Sequence, residues 1–278
     1  MQIIQTVLEL RNCLKNQASI AFVPTMGNLH AGHIHLVEIA KRHAECVVVS
    51  IFVNPLQFGQ NEDLATYPRT LEADCEKLKT AGVNIVFAPS ADEMYPEAQT
   101  MTIILPPIAN DLCGASRPGH FAGVATVVMK LFNIVQPNVA VFGKKDFQQL
   151  FIIRELVKQF NLPIEIIAGD TLREASGLAL SSRNGYLTDT QRAVASQLNS
   201  ALRSIVISVK NGNKDFAQLQ QQAIALLKFQ GWEVDYISIR SSTTLNPASI
   251  NEKNLVVLVA AKIGKTRLID NIEFCIET

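Results

Sequence analysis

A chain of 278 residues and 30.5 kDa is long enough for two domains. With 48% hydrophobic and 18% charged residues it can bury a sizeable core, which excludes a disordered or fibrous protein. Lys plus Arg number 25 and Asp plus Glu 25, so no net basic field draws the chain onto nucleic acid or an anionic membrane surface.

The N-terminus, Met1-Gln-Ile-Ile-Gln5, lacks the basic and apolar regions of a secretory signal. Apolar runs such as Leu255 to Ala261 fall far short of the roughly 20 residues of a membrane helix. Five cysteines (Cys13, Cys46, Cys75, Cys113 and Cys275) are scattered without a CxxC, as expected of thiols in a reducing compartment. A soluble, cytoplasmic protein is expected.

From Ile20 onward, apolar runs alternate with stretches of helical spacing. Strands are expected at Ile20–Val23, Val47–Val53, Asn84–Ala88, Asn138–Phe142 and Pro163–Ala168. Helices are expected at His33–Glu45, Thr70–Ala81, Phe121–Ile134 and Asp146–Phe160. Strands apolar on both faces and separated by helices predict an α/β, doubly wound parallel sheet over residues 1–171. Ligands then belong at the carboxyl ends of the strands. From Leu172 to Thr278 a smaller α+β domain is expected: helices at Asp189–Val209 and Phe216–Gln230, then strands at Glu233–Arg240, Leu255–Ala261 and Thr266–Cys275.

Four of the five histidines lie between residues 30 and 43. His30 and His33 sit in Pro24-Thr-Met-Gly-Asn-Leu-His-Ala-Gly-His33, where an apolar strand ends and a helix begins. The N–H groups of a helix start favour an anion, and two imidazoles there can stabilise charge developing on phosphoryl oxygens. No third ligand stands at a spacing that supports a metal, and His35 and His43 read as residues of a solvated helix face. Asn54 and Gln57, in Ser50–Gly59, offer uncharged donors and acceptors at the next strand end.

Arg117-Pro-Gly-His120 reads as a glycine-rich turn before a helix. In Phe142–Gln149, Gly143 allows a tight strand exit and Lys145 can neutralise phosphate. There Asp146 can cap the next helix, Gln149 follows within its first turn, and Lys144 reads as solvated. Ser181, Ser182 and Arg183, flanked by Gly177 and Gly185, make a candidate phosphate clamp. Gly264-Lys-Thr266 imitates a P-loop end, but Val259 stands where its first glycine is needed.

Taken in order, PTMGNLHAGH, VSIFVNPLQF, YPRT, RPGHFAGV, FGKKDFQQL and GLALSSRNGYL resemble the pantoate–β-alanine ligase family over nearly the whole chain. His-x-Gly-His alone marks only the broader nucleotidyltransferase superfamily. The resemblance implies an AMP-forming ligase that joins D-pantoate to β-alanine through a pantoyl adenylate and releases pyrophosphate, on the route to coenzyme A. It also implies a homodimer that uses ATP with Mg2+ carried on its phosphates.

By the same resemblance, ATP is held by Met26, Gly27, Asn28, Leu29, His30, Ala31, Gly32 and His33, by Gly143, Lys144, Lys145 and Asp146, and by Leu172, Leu180, Ser181, Ser182 and Arg183. His33 takes the proton-donor position. His30, Lys145 and Arg183 share the catalytic work, while Gln57 and Gln149 hold pantoate beside Asn54. The C-terminal domain closes over the site. Two alternatives stay open: an adenylyltransferase acting on a phosphorylated cofactor precursor, and a non-catalytic nucleotide binder.

Overall fold

The computed structural model describes residues 1–59 and 62–276. The chain divides into two compact units. The first comprises Met1–Lys144 and Gln149–Asp170; the second takes Lys145–Gln148 together with the chain from Thr171 onward.

The first unit is built on a six-stranded, wholly parallel sheet in the order β1-β4-β3-β2-β5-β6. Its strands are β1 (Gln2–Ile4), β2 (Ile20–Thr25), β3 (Cys46–Ile51), β4 (Ile85–Phe87), β5 (Val139–Gly143) and β6 (Glu165–Gly169). Between them run α1 (Val7–Leu14), α2 (Ala31–Ala40), α3 (Leu71–Thr80), the single turns α4 (Ala91–Met94) and α5 (Cys113–Ser116), α6 (His120–Val135) and α7 (Phe147–Gln159).

Alternate residues of the central strands feed different cores, as a pleated strand requires. Phe22 and Val48 pack with Leu10 of α1, Val128 of α6 and Ile153 of α7. Ala21, Val23, Val47 and Val49 pack with Val37 of α2 and Leu78 of α3. Both faces are covered, so the strands are apolar throughout.

The sheet reverses its winding at β2. From β2 the chain proceeds through α2 to β3 on one side, and β5 later pairs with the other side. Such a switch point opens a crevice at the carboxyl ends of the strands. The segments after β2, β3 and β5, which carry the histidines, Asn54 with Gln57, and Gly143, all leave from those ends.

The second unit contains α8 (Asp189–Ala195), α9 (Gln197–Lys210), α10 (Phe216–Phe229) and an antiparallel sheet β7-β8-β9. Those strands span Glu233–Ser241, Asn254–Ile263 and Thr266–Cys275. Their inward residues, among them Ile237, Val257 and Leu268, pack with Leu198, Leu202 and Leu227 of the helices.

Several expectations change. The helix expected at Asp189–Val209 is interrupted at Ser196, whose backbone stays helical (φ −64°, ψ −16°). The apolar period is therefore unbroken across the opening. The helix expected to run to Glu45 ends at Ala40, so His43 lies in a turn beyond it. β1 and α1 precede the first strand expected from sequence, although Thr6 and Glu9 carried a helix-start signal: the Thr6 side chain accepts from the Glu9 N–H. The cysteines are free thiols, three of them buried.

Candidate active site

The turn after β2 is set by one carboxylate. Asp74 of α3 is 0% exposed and accepts N–H bonds from Asn28 and Leu29, each 2.8 Å. Its Oδ2 also accepts the Thr70 hydroxyl at 3.0 Å, and Lys77 Nζ lies 3.7 Å from its Oδ1. Lys77 in turn donates to the Leu29 carbonyl at 2.7 Å.

This grip is needed because Gly27 (φ 83°) and Asn28 (φ 50°) both occupy the left-handed region. Only glycine adopts it freely, and asparagine tolerates it better than most residues. Leu29 serves the fold, with its side chain in the core and its N–H on Asp74.

The two imidazoles cap the helix that follows. His30 Nδ1 accepts the Gly32 N–H at 3.1 Å, and His33 Nδ1 accepts the His30 N–H at 3.2 Å. Their rings lie 4.2 Å apart between centroids. A ring nitrogen that accepts an N–H carries no proton, so each neutral ring holds its proton on Nε2. The sequence motif is thus a reciprocal helix cap that sets the donor of each ring at Nε2. The Gly32 N–H, expected to be open to an anion, is occupied by His30.

After β3, Asn54 (1% exposed) uses both ends of its amide. Its Oδ1 accepts from the Tyr95 hydroxyl at 2.8 Å and the Leu56 N–H at 3.3 Å. Its Nδ2 donates to Gln57 Oε1 at 3.1 Å and the Gly123 carbonyl at 3.2 Å. These are all the hydrogen bonds an asparagine side chain can make. Asn54 thereby holds the Gln57 side chain, whose amide N–H2 remains as its donor. Burial pushes the Tyr95 hydroxyl up to about 12. Gly123 lies so close to the Leu56 carbonyl that a Cβ would strike backbone.

Arg117 and His120, ambiguous in sequence, fasten the same turn. Arg117 forms a bidentate pair with Glu62 (2.7 and 2.6 Å), and its Nη1 lies 2.9 Å from His120 Nε2. His120 Nδ1 sits 2.8 Å from the Gln57 carbonyl. With a guanidinium on one side and a carbonyl on the other, His120 donates from Nδ1 and accepts at Nε2. Burial raises the Glu62 pKa, but the hydrogen bonds and charge of Arg117 outweigh it and hold the carboxyl below its ordinary value.

After β5, Lys144 pairs with Asp170 at 2.9 Å and so is not merely solvated. Lys145 is half-buried, with its Nζ 3.8 Å from Asp146. Asp146 belongs to a 3-10 turn (Lys144–Asp146) that runs into α7, where Gln149 is the third residue.

In the second unit, residues 172–180 form a tight hairpin. Leu180 N–H donates to the Leu172 carbonyl at 2.9 Å, and Arg173 pairs with Ala179. The segment expected to be open loop then enters a 3-10 helix (Ser182–Tyr186) capped by Ser181, whose hydroxyl accepts the Arg183 N–H at 3.2 Å. Asn184 Nδ2 ties this helix back to the Ala179 carbonyl at 3.0 Å. Among the described residues, no group of three or more His, Cys, Asp or Glu could hold a metal ion. Nor, among them, is any helix long and apolar enough to cross a membrane.

A family model described as pantoate-beta-alanine ligase matches residues 2–273. The chain belongs to the pantoate–β-alanine ligase family. It is 67% identical over 276 residues to the pantothenate synthetase of Methylobacillus flagellatus, covering 99% of each chain. It is 58% identical to that of Thiobacillus denitrificans, covering 98% of this chain and 97% of the relative.

Among solved structures, the pantothenate synthetase of Thermus thermophilus superimposes with a TM-score of 0.94 at 44% identity, covering 98% of this chain and 99% of that one. The pantoate-beta-alanine ligase of Francisella tularensis, complexed with beta-gamma ATP and beta-alanine, gives 0.81 at 37% identity, covering 98% and 97%. Family membership makes the chain a ligase with a Rossmann-like first unit.

Proposed function

We propose that this enzyme condenses D-pantoate with β-alanine at the expense of ATP, through a pantoyl adenylate, releasing pyrophosphate and then AMP. The observation that carries the reading is the imidazole pair: two Nε2–H donors fixed by reciprocal caps at the switch point of the sheet. A carboxylate does not accept an amine until it is activated, and here ATP is the activator. The pantoate carboxylate attacks the α-phosphorus, and the bond to the pyrophosphate oxygen breaks.

His33, in the proton-donor position, then directs its Nε2–H as a hydrogen-bond donor at that departing charge, with His30 beside it, because both Nδ1 atoms are engaged in the caps. Met26 to His33, Gly143 to Asp146, Leu172 and Leu180 to Arg183 are the proposed nucleotide residues. Lys145 and Arg183 neutralise the phosphates, and Gln57 and Gln149 orient pantoate. In the second step the β-alanine amine attacks the adenylate carbonyl and AMP leaves.

Magnesium suits this chain as an ion held by the nucleotide's own phosphates, where it would supply charge neutralisation; the described residues offer no carboxylate cage. The enzyme is proposed to work in the cytoplasm as a homodimer, its C-terminal domain (172–278) closing to exclude water from the adenylate.

The test is pyrophosphate release from ATP and D-pantoate, with AMP followed separately. Stoichiometric pyrophosphate without β-alanine, and turnover with AMP once it is added, are expected. Silence with pantoate but release with a phosphorylated acceptor would overturn the reading.

A further inference from the structure

We propose that Asp270 and Asn271, neighbours on β9, are positioning residues that hold Lys145 and the Leu180–Arg183 segment in one register. The inference rests on the functional reading above, in which Lys145 and Arg183 address ATP phosphates.

The strand pattern singles out Asp270. On β9, Thr266, Leu268, Asp270 and Phe274 are buried at period two, so an acid stands where the period places an apolar residue. It is 4% exposed. A buried carboxylate is costly unless fully paired, and an apolar residue of similar volume would pack there at least as well. Its presence calls for a role beyond packing.

That role is visible in its partners. Arg173 clamps Asp270 with two parallel bonds, Nη1 to Oδ2 at 2.7 Å and Nη2 to Oδ1 at 2.8 Å. The same guanidinium donates to the Gly177 carbonyl and the Asn271 carbonyl, both at 3.1 Å. Arg173 is thereby fixed at one end of the hairpin that delivers Leu180 and Ser181. Asn199 of α9 adds a bond to Asp270 Oδ2 at 3.4 Å.

Asn271, 6% exposed, serves the other segment. Its Nδ2 donates to the Lys145 carbonyl at 2.9 Å, while its own N–H donates to Asp270 Oδ1 at 2.7 Å. One backbone step on one strand therefore fixes the Lys145 main chain on one side and the clamp hairpin on the other. A strand core is stiff, so the two cationic segments share a single reference frame, as charge stabilisation without reorganisation requires. Neither residue lies in a motif that the sequence marks as chemical.

The experiment is rapid-quench measurement of pyrophosphate formation by the full-length enzyme with ATP and D-pantoate, β-alanine absent. Asn271→Ala is expected to slow this step by roughly 10- to 100-fold, the scale of a small misplacement of catalytic groups. The reaction of supplied pantoyl adenylate with β-alanine should stay unchanged, a split that general loss of fold would not give.

In a Lys145→Ala background, Asn271→Ala should add no further slowing, because it acts through Lys145. Independent, additive slowing would overturn the inference. So would a first step in Asn271→Ala equal to that of the wild type. If Asn271→Ala does not fold, Asn271→Asp keeps the shape and removes the donor; a wild-type first step in that variant would equally overturn it. Absence of pyrophosphate from the wild type would overturn the functional reading and this inference together.

Discussion

Two loops proposed for the phosphates are each held by one buried carboxylate, but by different means. Asp74 grips the backbone N–H groups of Asn28 and Leu29 directly. Asp270 reaches its hairpin through the side chain of Arg173. A carboxylate on main-chain donors fixes two peptide planes and permits no rotamer change. A carboxylate on a guanidinium leaves the several torsions of an arginine between anchor and loop. Of these two proposed loops the histidine turn is therefore the rigid half, held at its main chain, and the Ser181–Arg183 segment is the half held one side chain removed, through the clamped guanidinium of Arg173. The turn that carries Gln57 falls between them, fastened both by Asn54 and through the Glu62–Arg117 pair.

The sharpest test of the rigid half is at its output. His33→Ala should cut pyrophosphate formation by about 10²- to 10³-fold, the loss on removing one well-placed donor to developing charge. His30→Asn is the matched control: asparagine is a good N-cap, so its unfolding free energy should stay within about 0.5 kcal/mol of the wild type while adenylation falls. Undiminished pyrophosphate release in His33→Ala would remove it from the proton-donor role.

Next in size is the anchor itself. Asp74→Ala leaves buried N–H groups unpaired beside a left-handed backbone pair, and should cost about 3 kcal/mol in denaturant unfolding. Asp270→Asn should cost less, about 2 kcal/mol, because the partly exposed Arg173 can recover water. An equal or reversed order would break the distinction between the two anchors.

The smallest effect concerns Glu62. Its folded pKa lies below the ordinary 4.5, so at acid pH the unfolded chain binds the proton more readily. The pair's contribution is present above pH 4.5 and is lost as the pH falls through the lower, folded value. Between about pH 6 and about pH 3.5 the melting temperature of the wild type should fall more steeply than that of Glu62→Gln. Parallel curves would show that the Glu62 pair does not fasten the Gln57 turn.

Much of this was legible in the chain. Continuous apolar runs split by helical spacing imposed a two-faced parallel sheet, since strands such as Val47–Val49 cannot meet water on either side. The glycine and histidine spacing at Gly27–His33 marked a strand-to-helix turn. Short β1 was not legible because three residues carry no measurable period, and the opening at Ser196 was not because the period continues through it.

The sequence by itself determined the order of the chemistry along the chain: which turns carry imidazole, amide, lysine and guanidinium. Only the tertiary structure decided how those groups are aimed. Asp74, Asp270 and Asn271 each hold residues far along the chain, up to 126 positions away. Local spacing registers neighbours along a helix or strand, whereas a buried polar side chain takes its meaning from whichever distant donor the fold brings to it.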